Sequence, residues 1–227
     1  MARVRSKRSG LSGTALKWVA AGSMLADHVG AVLVREENLL FWCRLIGRLA
    51  MPLFVFLLVE GFCHTRDVRR YGGRLLLFAL ASEIPFDLAF HGRLLEWSGQ
   101  NVFFTLFLGL CMLALIQKYQ GRTGAQAAIV LFFGLLAMAT RCDYDVYGII
   151  MILLCYRMKC GGSRLLCVYG LFCGLLSLSF FGSGALAAVL IGFYNGRRGA
   201  LKGGLGFSLF YPLHLLALHL LYCLPPA

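Results

Sequence analysis

The sequence has few charged residues. Asp, Glu, Lys and Arg make up 14% of its 227 residues, whereas 59% are hydrophobic. An ordinary soluble domain is roughly a quarter charged, and a soluble chain of this length needs far more polar surface to cover its core. The composition therefore excludes a soluble globular domain, and its hydrophobicity excludes a disordered chain.

Several motifs are also absent. No two of the nine cysteines form a C-x-x-C, and no Cys/His spacing resembles a zinc site, so no metal is predicted. The odd cysteine count argues against a full disulfide framework. The sequence contains no P-loop and no G-x-G-x-x-G, which leaves an ATP or dinucleotide fold unsupported.

Acidic residues are scarce relative to basic ones. The 22 Lys and Arg against 10 Asp and Glu give a net charge of +12. A hydrophobic and basic chain has three explanations, namely nucleic-acid binding, anionic-lipid binding, or the positive-inside rule acting over many membrane spans.

Clusters of charge, Gly and Pro divide the chain into nine apolar stretches. They cover residues 14–34, 39–63, 71–91, 101–118, 125–140, 144–158, 164–181, 184–195 and 206–224. Several approach the ~20 residues that cross a bilayer. The sequence predicts an all-α polytopic integral membrane helix bundle of about nine transmembrane helices. It is a single domain over residues 14–227, preceded by a basic cytoplasmic leader over residues 1–13. The short eighth stretch could be re-entrant, which would change the topology after it.

The loops between these stretches are charged unequally. Counted alternately, one side carries 17 Lys and Arg and the other carries five. The positive-inside rule then places the N-terminus in the cytoplasm and, with nine spans, the C-terminus outside. Topology explains most of the +12, so the predicted partner is the lipid bilayer of the cell membrane and not a nucleic acid.

Asp27 and His28 lie in the outer half of the first stretch. An ionisable group within a span costs at least about 2.5–3.5 kcal/mol on insertion scales, which makes such groups default functional candidates. A carboxylate can fix a histidine tautomer and raise its basicity, as general-base chemistry requires. The alternative is a buried polar pair that only locks helix packing.

Other polar residues are predicted on the same outer side of the membrane. They are Arg44, Arg48, Glu83, Asp87, Asn101, Thr105, Asp143 and Asp145. This group could be a structural ion-pair network, or it could line a wet cavity with a reactive centre inside it.

The inner end of the second stretch carries Glu60 and His64, followed by four arginines, Arg66, Arg69, Arg70 and Arg74. Arginine forks suit phosphates, so this segment could bind a phosphate-bearing cofactor from the cytoplasm, or it could be ordinary basic anchoring. Tyr211 and His214 flank Pro212 inside the ninth stretch, where a proline is tolerated beside a cavity or a neighbouring helix.

The ordered set of these motifs resembles the TraX family of polytopic membrane proteins, which are linked to conjugation and pilin N-terminal acetylation. The matching segments are Leu16-Lys17 through Asp27-His28-Val29-Gly30, Arg44-Leu45-Ile46-Gly47-Arg48, Met51-Pro52-Leu53-Phe54-Val55-Phe56 with Glu60-Gly61, Thr65-Arg66, Tyr71, Arg74, Pro85-Phe86-Asp87, Asn101-Val102-Phe103-Phe104-Thr105-Leu106, Asp145-Val146-Tyr147-Gly148 and Tyr211-Pro212-Leu213-His214-Leu215.

The resemblance implies a transmembrane acyltransferase. It would move an acetyl group from cytoplasmic acetyl-CoA to an acceptor outside, which could be a peptide, a protein or a small molecule. His28 would be the catalytic base or a transient acetyl carrier, with Asp27 as its partner. The donor would bind at His64, Arg66, Arg69, Arg70, Arg74, Tyr211 and His214. The predicted polar cavity would comprise Arg44, Arg48, Glu60, Glu83, Asp87, Asn101 and Asp145.

Two other functions remain open at this point. An ion-coupled transporter would use Asp27, His28, Glu83 and Asp87 as a proton relay. It predicts inverted repeats with paired broken helices, and the short eighth stretch has no counterpart early in the chain. An assembly scaffold of a conjugation or secretion apparatus would use the polar groups only for structure.

Overall fold

The described part of the chain is helical. The computed structural model describes residues 10–161, 163–199 and 204–224. Within them, α-helices and two short 3-10 helices are present without a β-strand, and two isolated bridges join Leu11 to Tyr194 and Gln100 to Cys142. The α-helices are α1 (Gly13–Leu33), α2 (Glu37–Gly47), α3 (Ala50–His64), α4 (Val68–His91), α5 (Val102–Lys118), α6 (Thr123–Ala139), α7 (Asp145–Gly161), α8 (Ser163–Leu176), α9 (Leu186–Gly192) and α10 (Gly204–Cys223). The prediction of an all-α fold is confirmed.

The second apolar stretch, predicted as one helix over 39–63, is interrupted. A turn at Arg48 and Leu49 separates α2 from α3. Pro52 occupies the first turn of α3. An amide in the first turn of a helix has no partner within that helix, so the missing N–H of Pro52 costs α3 nothing. A helix running on from α2 would need that N–H as a donor, so Pro52 cannot continue α2. The other stretches match helices to within a few residues, except that 3-10 turns take up the end of the seventh and the start of the eighth.

Polar side chains cap several helices. The Ser12 hydroxyl accepts from the Ala15 amide at 3.2 Å, and the Asp67 carboxylate accepts from the Arg70 amide at 2.9 Å. Asn101 accepts from the Phe103 amide at 3.1 Å. Each satisfies an amide that the first helical turn leaves without a partner, so these residues begin α1, α4 and α5.

Helix α3 lies at the centre of the bundle. It packs against α1, α5, α7 and α9, and Leu53, Val55 and Val59 are fully buried in the main apolar core. Helix α1 packs against α2 and α10 on the other side. These contacts place the middle of α1 between α3 and α10.

Contacts between helix ends define two faces of the bundle. On the first, called here the basic face, Leu11 pairs with Phe193, Tyr194 bonds to Glu60, and Arg157 bonds to Gln126. On the opposite face, the Gln100 and Arg141 backbones pair and Arg35 lies over the Tyr222 ring at 5.3 Å. The basic face gathers the loops in which the sequence concentrates Lys and Arg.

The short eighth stretch returns to the basic face. It forms a ten-residue helical segment over Ser183–Gly192, about 15 Å long at ~1.5 Å per residue. The Ser183 hydroxyl donates to the Leu45 carbonyl at 2.9 Å, partway along α2, and Tyr194 at the other end reaches Glu60. Helix α10 then begins at the basic face, where Lys17 lies 5.8 Å from the Phe207 ring.

Two helical segments are long and apolar enough to cross a membrane by length and composition, Glu37–His64 and Gly206–Cys223. The predicted leader over 1–13 falls mostly on residues 1–9, which lie outside the described residues. Its last residues are described, and residues 11–14 pair through their backbone with residues 193–198.

Candidate functional site

Two histidines meet in the middle of the bundle. His28 on α1 and His214 on α10 are joined by a hydrogen bond of 2.7 Å between His28 Nδ1 and His214 Nε2. Their rings are nearly parallel, with an interplanar angle of 5°. The Phe90 ring lies edge-on to His28 at 5.3 Å, and His214 is buried. The pair therefore sits among aromatic rings, with His214 buried and His28 partly buried.

A backbone carbonyl determines the tautomers of this pair. His214 Nδ1 lies 2.7 Å from the Phe210 carbonyl oxygen, which can only accept, so Nδ1 carries the proton. In a neutral pair, His214 Nε2 is then the acceptor and His28 Nδ1 the donor. The lone pair of His28 is left on Nε2. That is the form in which an imidazole acts as a base or a nucleophile.

The predicted pairing of Asp27 with His28 is wrong. The Asp27 carboxylate instead accepts from Arg44 Nη1 and Arg48 Nη2, each at 3.0 Å. Neighbouring residues on a helix point about 100° apart, so His28 faces α10 while Asp27 faces α2. Asp27 thus fixes α1 to the end of α2, and the partner of His28 is His214.

A cavity of about 710 Å³ opens on the basic face, a volume within the range of small-molecule pockets. His64, Arg66 and Arg74 line it near its mouth, together with Lys17 and Arg198. Apolar side chains line its deeper part, namely Phe54, Leu57, Leu75, Phe78, Phe103 and Leu106, and Phe207 lies beside Lys17 at the mouth. It reaches Met24 and Tyr211, and the Tyr211 ring lies 6.0 Å from the His28 ring.

The predicted donor-binding residues divide into two groups. His64, Arg66, Arg74 and Tyr211 line this cavity. Arg69 and Arg70 are exposed and do not line it. His214 is buried beyond the inner end of the cavity, next to His28.

A second cavity, of about 470 Å³, opens on the opposite face. Phe86, His91, Gln100, Arg141, Asp143 and Asp145 are among its lining residues. Arg141 and Asp145 have left-handed backbone conformations, with φ of 53° and 40°, which are uncommon outside glycine. Phe86 also packs on Phe90 at 5.0 Å. His28 is therefore separated from this cavity by two phenylalanine rings and from the first cavity by the layer containing Tyr211.

The other predicted polar-cavity residues do not form one cavity with the histidines. Asn101 is fully buried and donates both to the Ala79 carbonyl at 2.8 Å and to Glu83. Asp87, also fully buried, accepts from the Glu96 amide at 2.8 Å. These groups join α4 to α5 and to the loop that follows α4. These contacts are hydrogen bonds, whereas the ion pairs anticipated as a structural alternative join Asp27 to Arg44 and Arg48.

Glu60 lies on the basic face, away from the other predicted polar-cavity residues. Its carboxylate accepts from the Tyr194 hydroxyl at 2.9 Å and from Lys159, and His64 Nδ1 lies 3.5 Å away. Glu60 thereby holds α3, α7 and the segment after α9 together beside the cavity.

Sequence reasoning missed three features of the site. The His28–His214 contact joins residues 186 positions apart, and the place of Lys17 and Arg198 in the cavity depends on the segment after α9. Phe90 carries no sequence signal that separates it from 17 other phenylalanines. Among the described residues, no group of three His, Cys, Asp or Glu side chains could hold a metal ion.

Comparison with known proteins agrees with the resemblance found in the sequence. The model of the family described as TraX protein matches residues 12–222. A protein of Dichelobacter nodosus, the probable fimbrial assembly protein FimC of serogroup H1, is 33% identical over 236 residues, covering 92% of this chain and 95% of its own. A Rickettsia prowazekii (strain Madrid E) protein, uncharacterized protein RP591, is 23% identical over 174 residues, covering 73% of this chain and 64% of its own. No solved structure gives a significant match.

Proposed function

The chain belongs to the TraX family, and from that premise we propose that it is a multi-pass enzyme of the cell membrane. It transfers an acetyl group from cytoplasmic acetyl-CoA to an acceptor on the other side. The observation that carries this proposal is the position of His28, between two cavities that open on opposite faces of the bundle.

Exposed apolar side chains support the membrane location. Leu131, Phe132 and Leu135 project from α6, and Leu171 on α8 is 64% exposed. Contiguous apolar surface of this kind is rare on soluble monomers and is typical of contact with lipid. The unequal loop charge in the sequence, 17 Lys and Arg on one side against five on the other, supports a cytoplasmic location for the basic face.

The first cavity suits acetyl-CoA. Cationic residues at its mouth would bind the phosphates, and the apolar interior would hold the pantetheine arm, with the acetyl group at the inner end near Tyr211. Acetyl-CoA would supply an acetyl thioester there, on the side of His28 that faces the cytoplasm.

His28 performs the proton transfer in this proposal. With His214 holding Nδ1, His28 Nε2 can accept a proton from an acceptor amine as its nitrogen attacks the thioester carbonyl. The new C–N bond forms, the C–S bond breaks, and the proton passes to the CoA thiolate to give the free thiol. The same lone pair suits a two-step course in which Nε2 carries the acetyl group before the amine attacks.

The second cavity suits the acceptor. Asp143 and Asp145 give it two acidic groups against the one guanidinium of Arg141, which favours an amine that arrives protonated. That amine releases one proton to solvent before it attacks, and His28 accepts the second. The resemblance to a pilin-acetylating family, and the fimbrial assembly role in the name of the Dichelobacter nodosus relative, favour the N-terminal amine of a peptide or protein as the acceptor class.

Transfer of radiolabelled acetyl from acetyl-CoA to membrane-associated amines tests this proposal. Membranes carrying the wild-type chain are compared with membranes carrying His28→Ala, and His219→Ala serves as a matched control because that histidine, also on α10, lies away from the pair. We expect His28→Ala to lower transfer by roughly 100-fold or more, as loss of a general base does. Equal transfer by wild type and His28→Ala would overturn the role of His28.

A second candidate is the non-catalytic scaffold, which the name of the fimbrial relative favours. In that case His28 and His214 only lock α1 to α10. Normal assembly of surface fibres by a His28→Ala strain, with no acetyl transfer by wild-type membranes, would support the scaffold over the enzyme.

A further inference from the structure

Three cations converge at the mouth of the first cavity. Lys17 projects from α1, Arg74 from the start of α4, and Arg198 lies in the segment after α9, and all three line the cavity. The charges of Arg74 and Arg198 both act on the Lys17 ammonium group. Like charges repel, so this convergence is unfavourable unless another group compensates for it.

Backbone pairing brings Lys17 and Arg198 together. The amides of Gly13 and Thr14 donate to the Arg197 and Arg198 carbonyls at 2.8 and 3.0 Å, and the Thr14 hydroxyl donates to the Arg198 carbonyl at 3.0 Å. Lys17 lies one helical turn beyond this pairing. The start of α1 and the segment after α9 therefore form one side of the cavity mouth as a unit.

In the part of the chain that the structure describes, no carboxylate pairs with Lys17, Arg74 or Arg198. Within residues 10–161, 163–199 and 204–224, none of the three takes part in an ion pair. Two of them lie over aromatic rings, Lys17 over Phe207 at 5.8 Å and Arg74 over Tyr71 at 5.5 Å. Glu60, the acid that lines the same cavity, is engaged by Tyr194 and Lys159.

We infer that Lys17, Arg74 and Arg198 form the subsite that binds the phosphate groups of the donor. This inference rests on the proposed function and adds Lys17 and Arg198 to it. The ligand class is a phosphate-bearing nucleotide with an extended, less polar arm, because the cations stand at the mouth and the apolar residues lie deeper. Lys17 is half-buried, so its ammonium group meets the ligand inside the mouth rather than on the open surface.

Binding measurements on the full chain in lipid nanodiscs test this inference. Coenzyme A and pantetheine, which has the same arm but no phosphate, are titrated against wild type, Lys17→Gln, Arg198→Gln, Lys17→Arg and Arg122→Gln. Arg122 is an exposed cation that does not line the cavity, so Arg122→Gln is the matched control. Thermal unfolding confirms that each variant is folded.

We expect Lys17→Gln and Arg198→Gln each to weaken coenzyme A binding by roughly ten-fold, the usual effect of losing a charge-assisted contact. Pantetheine binding and Arg122→Gln should match wild type, and Lys17→Arg should restore most of the affinity. Coenzyme A affinity unchanged in both Gln variants would overturn the inference.

The source of the phosphate is tested by nanodisc composition. Competition by anionic lipid for the Lys17-dependent site, with no binding of coenzyme A in zwitterionic nanodiscs, would mean that a lipid headgroup occupies it and would overturn the nucleotide assignment. Lys17-dependent binding of coenzyme A by a protein that transfers no acetyl group would sustain the subsite and overturn the proposed function. If the protein transfers acetyl groups and the KM for acetyl-CoA is unchanged in Lys17→Gln and Arg198→Gln, the proposed function stands and the subsite is overturned.

Discussion

His28 Nδ1 and His214 Nε2 lie 2.7 Å apart, although 186 residues separate the two histidines in the chain. His214 is held in turn by the Phe210 carbonyl one turn earlier on α10. The orientation of His28 is therefore set by α10 and not by its neighbour Asp27.

Replacing His214 should impair chemistry more than donor binding. His214→Phe keeps an aromatic ring but removes Nε2, so His28 loses the acceptor that fixes its tautomer. We expect kcat for acetyl transfer to fall by roughly 100-fold, within the range that proton transfer contributes, with the KM for acetyl-CoA little changed. Steady-state kinetics on the purified chain measure kcat and the KM for acetyl-CoA separately. Wild-type kcat in His214→Phe would show that the contact is only packing, and His219→Phe is the control.

Removing the charge of Asp27 should lower stability. Asp27→Asn keeps the shape of the side chain, but Arg44 and Arg48 then face each other beside a neutral amide. The Asp27 side chain is 14% exposed, whereas those of Arg44 and Arg48 are 36% and 25% exposed. We therefore expect the free energy of unfolding to fall by about 1–2 kcal/mol, an effect between those of breaking a surface ion pair and a buried one. The measurement is the Tm in detergent, with Glu37→Gln, an exposed acid on α2, as control. A loss of turnover at unchanged Tm would instead support the original pairing with His28.

The close approach of α1 and α2 depends on Gly47. A Cβ at Gly47 would collide with the Asp27 side chain. We expect Gly47→Ala to destabilise the protein by about 1–3 kcal/mol through overpacking. Gly73→Ala is the matched control, because a Cβ there meets nothing within 4 Å and alanine favours a helix. Equal melting temperatures for the two variants would contradict the packing described.

The proposed orientation predicts opposite locations for two chain positions. Alkaline phosphatase, which is active only outside the cytoplasm, should be active when fused after the C-terminus and inactive when fused after Arg66. The physical reason is the concentration of Lys and Arg on the basic face. Activity only after Arg66 would reverse the assigned topology. Activity at both positions would contradict it.

Much of the fold was predictable because each helix is specified by residues close together in the sequence. Apolar stretches bounded by charge, Gly and Pro correspond to helices, and caps such as Ser12, Asp67 and Asn101 act within their own first turns. The break before α3 was missed, although Pro52 was present as its local signal. His28 was identified as a candidate since an ionisable group in an apolar run needs a special environment.

The sequence by itself determined that the chain is helical, which segments are helices, and which loops carry the basic charge, since backbone hydrogen bonding and hydrophobic runs act over a few residues. Only the tertiary structure decided that Asp27 pairs with Arg44 and Arg48, that His28 meets His214, and that Lys17 and Arg198 share a cavity mouth. These helices are apolar on most sides, so their residue pattern does not specify which neighbour each face meets. That choice is made by packing between segments far apart in the chain.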